Sequence, residues 1–352
     1  MMRTRWTEGW TTARATVARR LFIDRQAAFW RRELRDARAR VVEVIAETAD
    51  TRTFVLEPHA GWRRHRAGQH TTIEVEIDGV RLRRCYSISS APDDPRVAIT
   101  VKRQRGGRVS GWLHDHLRAG DRVALAAAAG RFVLPSPRPE QLLFVSGGSG
   151  MTPIMSMLRQ LASDDALDDV ILVHYARRRD DVIFGDELEA MASRGLRLVF
   201  HYSDGGTLFD EARLATAVPD FAARATFLCG PLGLMERVDR MWQAAGAAER
   251  LRRERFGGVA LTPAASDARV EVRLERSGRR VSADPARPLL DQLEAAGVRP
   301  PFGCRIGVCH TCQCTKRSGT VENLLTGALS TADDDEIQLC ISAPRTDVEL
   351  GL

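Results

Sequence analysis

Cys304, Cys309 and Cys312 stand at C-x4-C-x2-C spacing, and Cys340 follows after 27 further residues. Thiolates at this spacing suit a [2Fe–2S] cluster. Each iron takes two thiolates. A four-residue gap lets the backbone pass over the cluster, and the distant fourth Cys closes the cage from another element. Gly303 and Gly307 allow tight, left-handed bends in such a loop. Zinc and free thiols are the other readings of a cysteine cluster. Structural zinc favours Cys-x2-Cys or Cys/His pairs, and His310 lies inside the loop, but four cysteines already make a complete set. A fifth, Cys314, is expected to be buried on the strand that follows.

Three more stretches carry residues fit for chemistry. Arg84-Cys85-Tyr86-Ser87 ends a β-type run. There an Arg can neutralise a phosphate, a Tyr ring can stack on a flat heterocycle, and a Ser hydroxyl can hydrogen-bond a ring nitrogen. Farther on, "GGRVSGWLHDHL" is a Gly-rich turn opening a helix, and N–H groups near Gly107 to Ser110 can hold a pyrophosphate. The apolar run "LLFVS" then enters Gly147-Gly148-Ser149-Gly150-Met151-Thr152-Pro153, a G-x-G-x-x-P pattern. Its glycines permit close backbone approach, and Pro153 suits the first turn of a helix. Cys229-Gly230-Pro231 follows a later apolar run, "ATFL". Arg177 and Arg178 follow "VILVHYA", where a cation can meet the 2′-phosphate of a nucleotide. Each feature alone has an ordinary reading: a strand aromatic, a solvated Arg, a buried Cys. Their co-occurrence in one chain argues for nucleotide chemistry.

The elements that must position these residues change character along the chain. Residues 39–137 hold short β-type runs separated by turns such as Ile77-Asp78-Gly79, with one brief helix near Gly111–Leu117, which predicts a small antiparallel barrel. Residues 138–258 alternate apolar strands with helices, the pattern of an α/β domain with a parallel sheet. Residues 259–268 read as a linker. Residues 269–352 give a hairpin, the helix "PLLDQLEAAG", the cysteine loop and a last strand pair.

In that order the motifs resemble the ferredoxin–NADP reductase superfamily, with a C-terminal domain similar to plant-type ferredoxins of the β-grasp fold. "CRIGVCHTC" and "DDDEIQLCISAP" match the ferredoxin loop and its closing Cys. The resemblance implies an antiparallel β-barrel flavin domain, an α/β parallel-sheet nicotinamide domain and an α+β ferredoxin domain. It implies FAD on Arg84, Tyr86, Ser87, Val101, Gly107, Val109 and Ser110, and NAD(P)H, with NADPH favoured, on Gly147, Gly148, Gly150, Met151, Thr152, Pro153, Arg177, Cys229, Gly230 and Pro231. The [2Fe–2S] ligands would be Cys304, Cys309, Cys312 and Cys340. Ser87, Thr152 and Cys229 would lie at the reacting centre as positioning groups, with no general acid or base. The implied activity is electron transfer from NAD(P)H through FAD and the cluster to a protein acceptor: an oxygenase, a hydroxylase or a membrane acyl desaturase. A redox-sensing iron–sulfur flavoprotein and a self-contained flavin reductase are the alternatives.

The chain has 352 residues and a formal charge of +6. The charge is uneven. Residues 1–40 carry 11 Arg against 4 acidic residues, whereas residues 259–352 carry 11 basic against 13 acidic. No recognition motif for nucleic acid accompanies the basic segment, and none is expected to bind. No stretch of about 18 apolar residues predicts a membrane-spanning helix. The first residues lack the apolar core of a secretory signal, so a cytoplasmic location is expected. Residues 1–38 read as a basic helical arm, either docked on the next domain or lying on an anionic membrane surface. The membrane reading predicts salt-sensitive binding to anionic vesicles that disappears when residues 1–38 are deleted; cosedimentation unchanged by the deletion rejects it.

Overall fold

The computed structural model describes residues 38–203, 206, 209–256, 268–302, 305, 307, 312–325 and 327–352. The arm expected over 1–38 and the linker expected over 259–268 lie outside these residues, except for Arg38 and Ala268. Arg38 is not part of an arm: it opens the first strand and pairs with Ala124.

The first domain is a six-stranded antiparallel sheet. Its strands are β1 (Arg38–Thr48), β2 (Thr51–Glu57), β3 (His70–Ile77), β4 (Val80–Ser87), β5 (Val97–Lys102) and β6 (Arg122–Leu125), in the order β4-β3-β6-β1-β2-β5. A bridge between Ile88 and Ile99 joins the two ends and closes the barrel. Alternate residues turn inward, as the period of two requires, so that Val41, Phe54, Leu56, Ile73 and Ile99 are fully buried together. Helix α1 (Arg108–His116) begins three residues before the expected Gly111, because Val109 is already needed in the core. It caps one end with Leu113, and the His114 ring meets the Val101 carbonyl at 2.8 Å.

The second domain is a parallel sheet. Strands β7 (Leu142–Gly147), β8 (Val170–Ala176), β9 (Arg197–Tyr202), β10 (Ala225–Cys229) and β11 (Leu251–Glu254) lie in the order β11-β10-β7-β8-β9. Helices α2 (Met151–Ser163) and α3 (Gly185–Ala192) cover one face, and α4 (Glu211–Ala217) and α5 (Leu232–Ala244) the other. Covered on both faces, β7 and β8 are buried at every residue, which is why they read as unbroken apolar runs. Strand β11 has no such signature. "LRRE" is a short charged edge strand, ordered by pairing with β10.

The third domain pairs β12 (Val270–Leu274) with β13 (Arg280–Ala283) as a hairpin, then places α6 (Leu289–Ala295) before the cysteine loop. Strands β14 (Gln313–Ser318), β15 (Val321–Asn323), β16 (Leu329–Ser330), β17 (Asp335–Gln338), β18 (Ser342–Pro344) and β19 (Val348–Leu350) follow. They form a five-stranded sheet, β13-β12-β19-β14-β17, and a small one, β16-β15-β18. Lys316 is fully buried inside. Its ammonium donates to the carbonyls of Gly319 at 2.7 Å and Ala332 at 2.6 Å, the pairing a buried charge needs.

Candidate functional site

Strand order decides where a nucleotide can bind. In the parallel sheet β7 has β8 on one side and β10 on the other, so loops leaving β7 and β10 diverge to opposite faces and leave a crevice at their carboxyl ends. Gly147–Pro153 and Cys229–Pro231 both emerge there. They lie so close that glycine is obligatory: a Cβ on Gly150 would stand 2.1 Å from the Cys229 carbonyl oxygen, and one on Gly147 2.8 Å from the Pro231 ring. The two motifs are thus one cradle. Thr152 is buried in it and donates its hydroxyl to the Ser149 carbonyl at 3.0 Å. Burial pushes the Cys229 thiol well above its ordinary range, with the nearby Glu254 carboxylate adding to the effect. A thiol held protonated is no nucleophile.

The barrel supplies the other wall. Ser87, at the end of β4, is buried, and its hydroxyl has no hydrogen-bond partner among the described residues. An orphaned buried hydroxyl beside a half-buried tyrosine fits a bound flavin. Burial pushes the Tyr86 phenol up, against the opposing pull of the Arg84 guanidinium. Arg84 donates to the Arg83 carbonyl at 2.7 Å. At α1 no side chain caps the first turn, which leaves that end suited to a phosphate. One expected donor is spent, however: the Gly107 N–H bonds the Gln104 carbonyl at 3.0 Å, and the Ser110 hydroxyl accepts from the Gln104 N–H at 3.1 Å. The turn is closed on itself there, so the N–H groups offered to an anion begin at Arg108. Gly107 is required because a Cβ would meet the Ser110 hydroxyl at 2.5 Å.

The chain continues each motif into a contact that holds the walls together. After Ser87, the carbonyls of Ser89 and Ser90 accept from Arg159 Nη1 and the Ser156 hydroxyl of α2, each at 2.7 Å. Arg159 is itself fixed by a fork to Glu187 at 2.8 and 2.6 Å. A second contact is Glu254, the last residue of β11, which faces His70 Nδ1 of the barrel at 3.9 Å. Burial raises the Glu254 carboxyl, and its second oxygen has no partner among the described residues. Sequence reasoning missed Ser89, Ser90, Ser156, Arg159, His70 and Glu254; only Ser156, a short polar residue inside the apolar run "IMSML", gave a hint. Arg177, expected at a nucleotide phosphate, stands at the end of β8, largely exposed, 3.2 Å from Asp181 and 4.0 Å from Asp50 of the barrel.

In the third domain Cys304 and Cys309 lie outside the described residues, as do Gly303 and His310. Cys312 and Cys340 are both buried, one just before β14 and the other just after β17. Gln313 pairs with Gln338, and the Leu339 N–H donates to the Cys312 carbonyl at 3.1 Å, so the pairing brings both thiols to one end of the sheet. Gly307 takes φ +78°, where a Cβ would strike Ile341. Gln338 donates to the Gly307 carbonyl at 2.8 Å and ties the loop over that end. These two buried thiols, together with the two further cysteines that the sequence supplies at Cys304 and Cys309, make a donor set that fits a [2Fe–2S] cluster. Cys314 is buried on β14, its thiol pushed up to about 12 by burial.

A flavin-type barrel, a nucleotide crevice and a cysteine-loop domain together define a three-domain electron-transfer flavoprotein. Residues 38–134 match the family of oxidoreductase FAD-binding domains, 144–240 that of oxidoreductase NAD-binding domains, and 272–345 that of 2Fe-2S iron–sulfur cluster binding domains. An NADPH oxidoreductase of Mycobacterium tuberculosis is 38% identical over 90% of this chain and 85% of its own length. A glycine betaine monooxygenase reductase subunit of Pseudomonas aeruginosa is 34% identical over 88% of this chain and 93% of its own. The solved structure of phthalate dioxygenase reductase, described as modular for electron transfer from pyridine nucleotides to [2Fe–2S], superposes with a TM-score of 0.63 at 27% identity, over 90% of this chain and 97% of that one. The chain belongs to the ferredoxin–NADP reductase superfamily, in the group with a C-terminal [2Fe–2S] ferredoxin domain. It is an NAD(P)H-dependent oxidoreductase that uses FAD and a [2Fe–2S] cluster.

Gly150→Ala tests the cradle. Its Cβ has only backbone to displace, so the KM for NAD(P)H is expected to rise about tenfold or more while flavin content stays unchanged. An unchanged KM would show that the nucleotide binds elsewhere.

Proposed function

We propose that this chain is the reductase component of an oxygenase system, carrying electrons from NADPH to a protein acceptor. The observation that supports it best is the apposition of the Gly150–Cys229 cradle and the orphaned Ser87 hydroxyl across the contact of Ser89 and Ser90 with α2. In this reading the nicotinamide lies by Cys229 and Thr152 and the flavin by Tyr86 and Ser87. A flavin held there would supply two-electron acceptance as hydride and one-electron release, the combination that a one-electron cluster requires. The protein's part is alignment, since hydride transfer needs reacting atoms about 3–3.5 Å apart. Arg84 would hold the flavin phosphate, and Val101, Val109, Ser110 and the first turn of α1 would shape its pocket. Gly147, Gly148, Met151, Pro153, Gly230 and Pro231 would form the nucleotide cradle. Cys304, Cys309, Cys312 and Cys340 would hold the cluster.

The acceptor class is inferred from relatives named as monooxygenase reductase subunits; a hydroxylase or a membrane acyl desaturase calls for the same electron flow. The cluster domain has a slight acidic excess, which an oxidised cluster deepens, so an acceptor with a basic docking face suits it. NADPH is favoured over NADH because Arg177 offers an exposed cation at the end of β8.

Two measurements test this. NADPH-driven reduction of cytochrome c is expected in the wild type and lost in Cys309→Ser, with ferricyanide reduction at the flavin retained. Full cytochrome c turnover by Cys309→Ser would instead indicate a self-contained flavin reductase. Arg177→Ala is expected to lower kcat/KM for NADPH about tenfold and leave NADH unaffected; equal effects on both would remove Arg177 from the 2′-phosphate site.

A further inference from the structure

Phe302 lies between two domains. Its ring packs against the core of the flavin barrel and against the core of the cluster domain. Two guanidiniums meet it, Arg305 at 4.0 Å and Arg84 at 5.7 Å from the ring centroid. The first comes from the cysteine loop and the second from the flavin motif.

Each partner is held. Arg305 has φ +63°, a left-handed conformation that is uncommon for a side chain of its size. Its Nη2 donates to both carboxylate oxygens of Glu294 at 2.6 and 2.8 Å, and its Nη1 to Asp291 at 3.2 Å. Both acids stand on α6, so the loop residue is bolted to the rigid part of its own domain. Phe302 follows Pro300-Pro301, whose rings fix φ and stiffen the approach of the chain. Arg84 sits at the end of β4, paired through Ile73. A continuous chain of contacts therefore runs from α6 through Arg305 and Phe302 to Arg84.

We propose that the Phe302 ring docks the cysteine loop on the flavin barrel, as a positioning residue for the passage of electrons from flavin to cluster. The inference rests on the reading of Arg84 as the flavin-phosphate residue. A ring face attracts a cation, so one aromatic side chain joins the loop that would carry the cluster to the strand end that would carry the flavin. An aliphatic side chain of similar bulk fills the same volume and lacks that attraction. Only the geometry between the domains is then lost, not either cofactor site.

The test compares wild-type holoenzyme with Phe302→Leu and Phe302→Tyr. All three are expected to hold equal flavin and iron and to reduce ferricyanide from NADPH equally. After rapid mixing with NADPH, bleaching of the cluster absorbance is expected to be at least about tenfold slower in Phe302→Leu and within about twofold of wild type in Phe302→Tyr, as expected when a small misplacement costs rate. Solution X-ray scattering of the same samples is expected to give a larger radius of gyration for Phe302→Leu only. Wild-type bleaching and scattering in Phe302→Leu would overturn the proposal. So would loss of flavin or of ferricyanide reduction in that variant, since Phe302 would then serve the flavin site itself. A wild-type enzyme whose flavin is reduced while its cluster never bleaches would sink the proposed function instead, and is distinguishable from both.

Discussion

Two carbonyls, of Ser89 and Ser90, carry the junction on which the site depends. They leave the barrel immediately after the flavin motif and accept hydrogen bonds from Arg159 and Ser156, one turn and more beyond the nucleotide motif on α2. The segments that bear the two motifs are thus the segments that touch. Redox chemistry by hydride demands contact distance, and a contact made elsewhere would transmit every error of domain orientation to the reacting atoms. Arg159 is well chosen for this. Its fork to Glu187 and its position 4.9 Å from the Phe184 ring hold the guanidinium before it reaches the barrel, so little side-chain entropy is left to lose on docking.

Close backbone approach is the second theme. The crevice between β7 and β10 is narrow because Gly150 lies on the Cys229 carbonyl. That closeness removes the thiol from water and raises its pKa. Ser87 and Glu254 also each bury a side-chain oxygen that has no partner among the described residues. Unpaired polar groups are costly in a finished core, and Ser87 and Glu254 hold two of them on the barrel and sheet walls of the crevice. The buried charges Lys316 and Arg224 are met, the first by two carbonyls and the second by Asp169 and Asp220.

Much of this was readable in advance. The order of the motifs, the barrel strands and the parallel strands follow from local patterns, because period-two alternation and unbroken apolar runs are dictated by which faces are covered. Strand β11 was not readable. Its four residues are ordered by β10, and an edge strand of "LRRE" has no apolar signature of its own. The early start of α1 was missed because Val109 owes its place to the barrel core, and the Gly107 N–H is spent in a turn that the motif alone does not specify.

Cofactor chemistry is carried by short motifs, so residue order alone was enough to give the three cofactors, the three-domain architecture and the class of reaction. Four thiols at the right spacing are a property of the chain, whatever its fold. Which motif faces which is a property of topology. Gly150 meets Cys229 because β7 and β10 are neighbours at the point where the strand order reverses. His70 meets Glu254, and Arg84 meets Phe302, across boundaries between domains. Contacts between residues so far apart in the chain leave no periodicity for sequence reasoning to read, and only packing of the folded domains creates them.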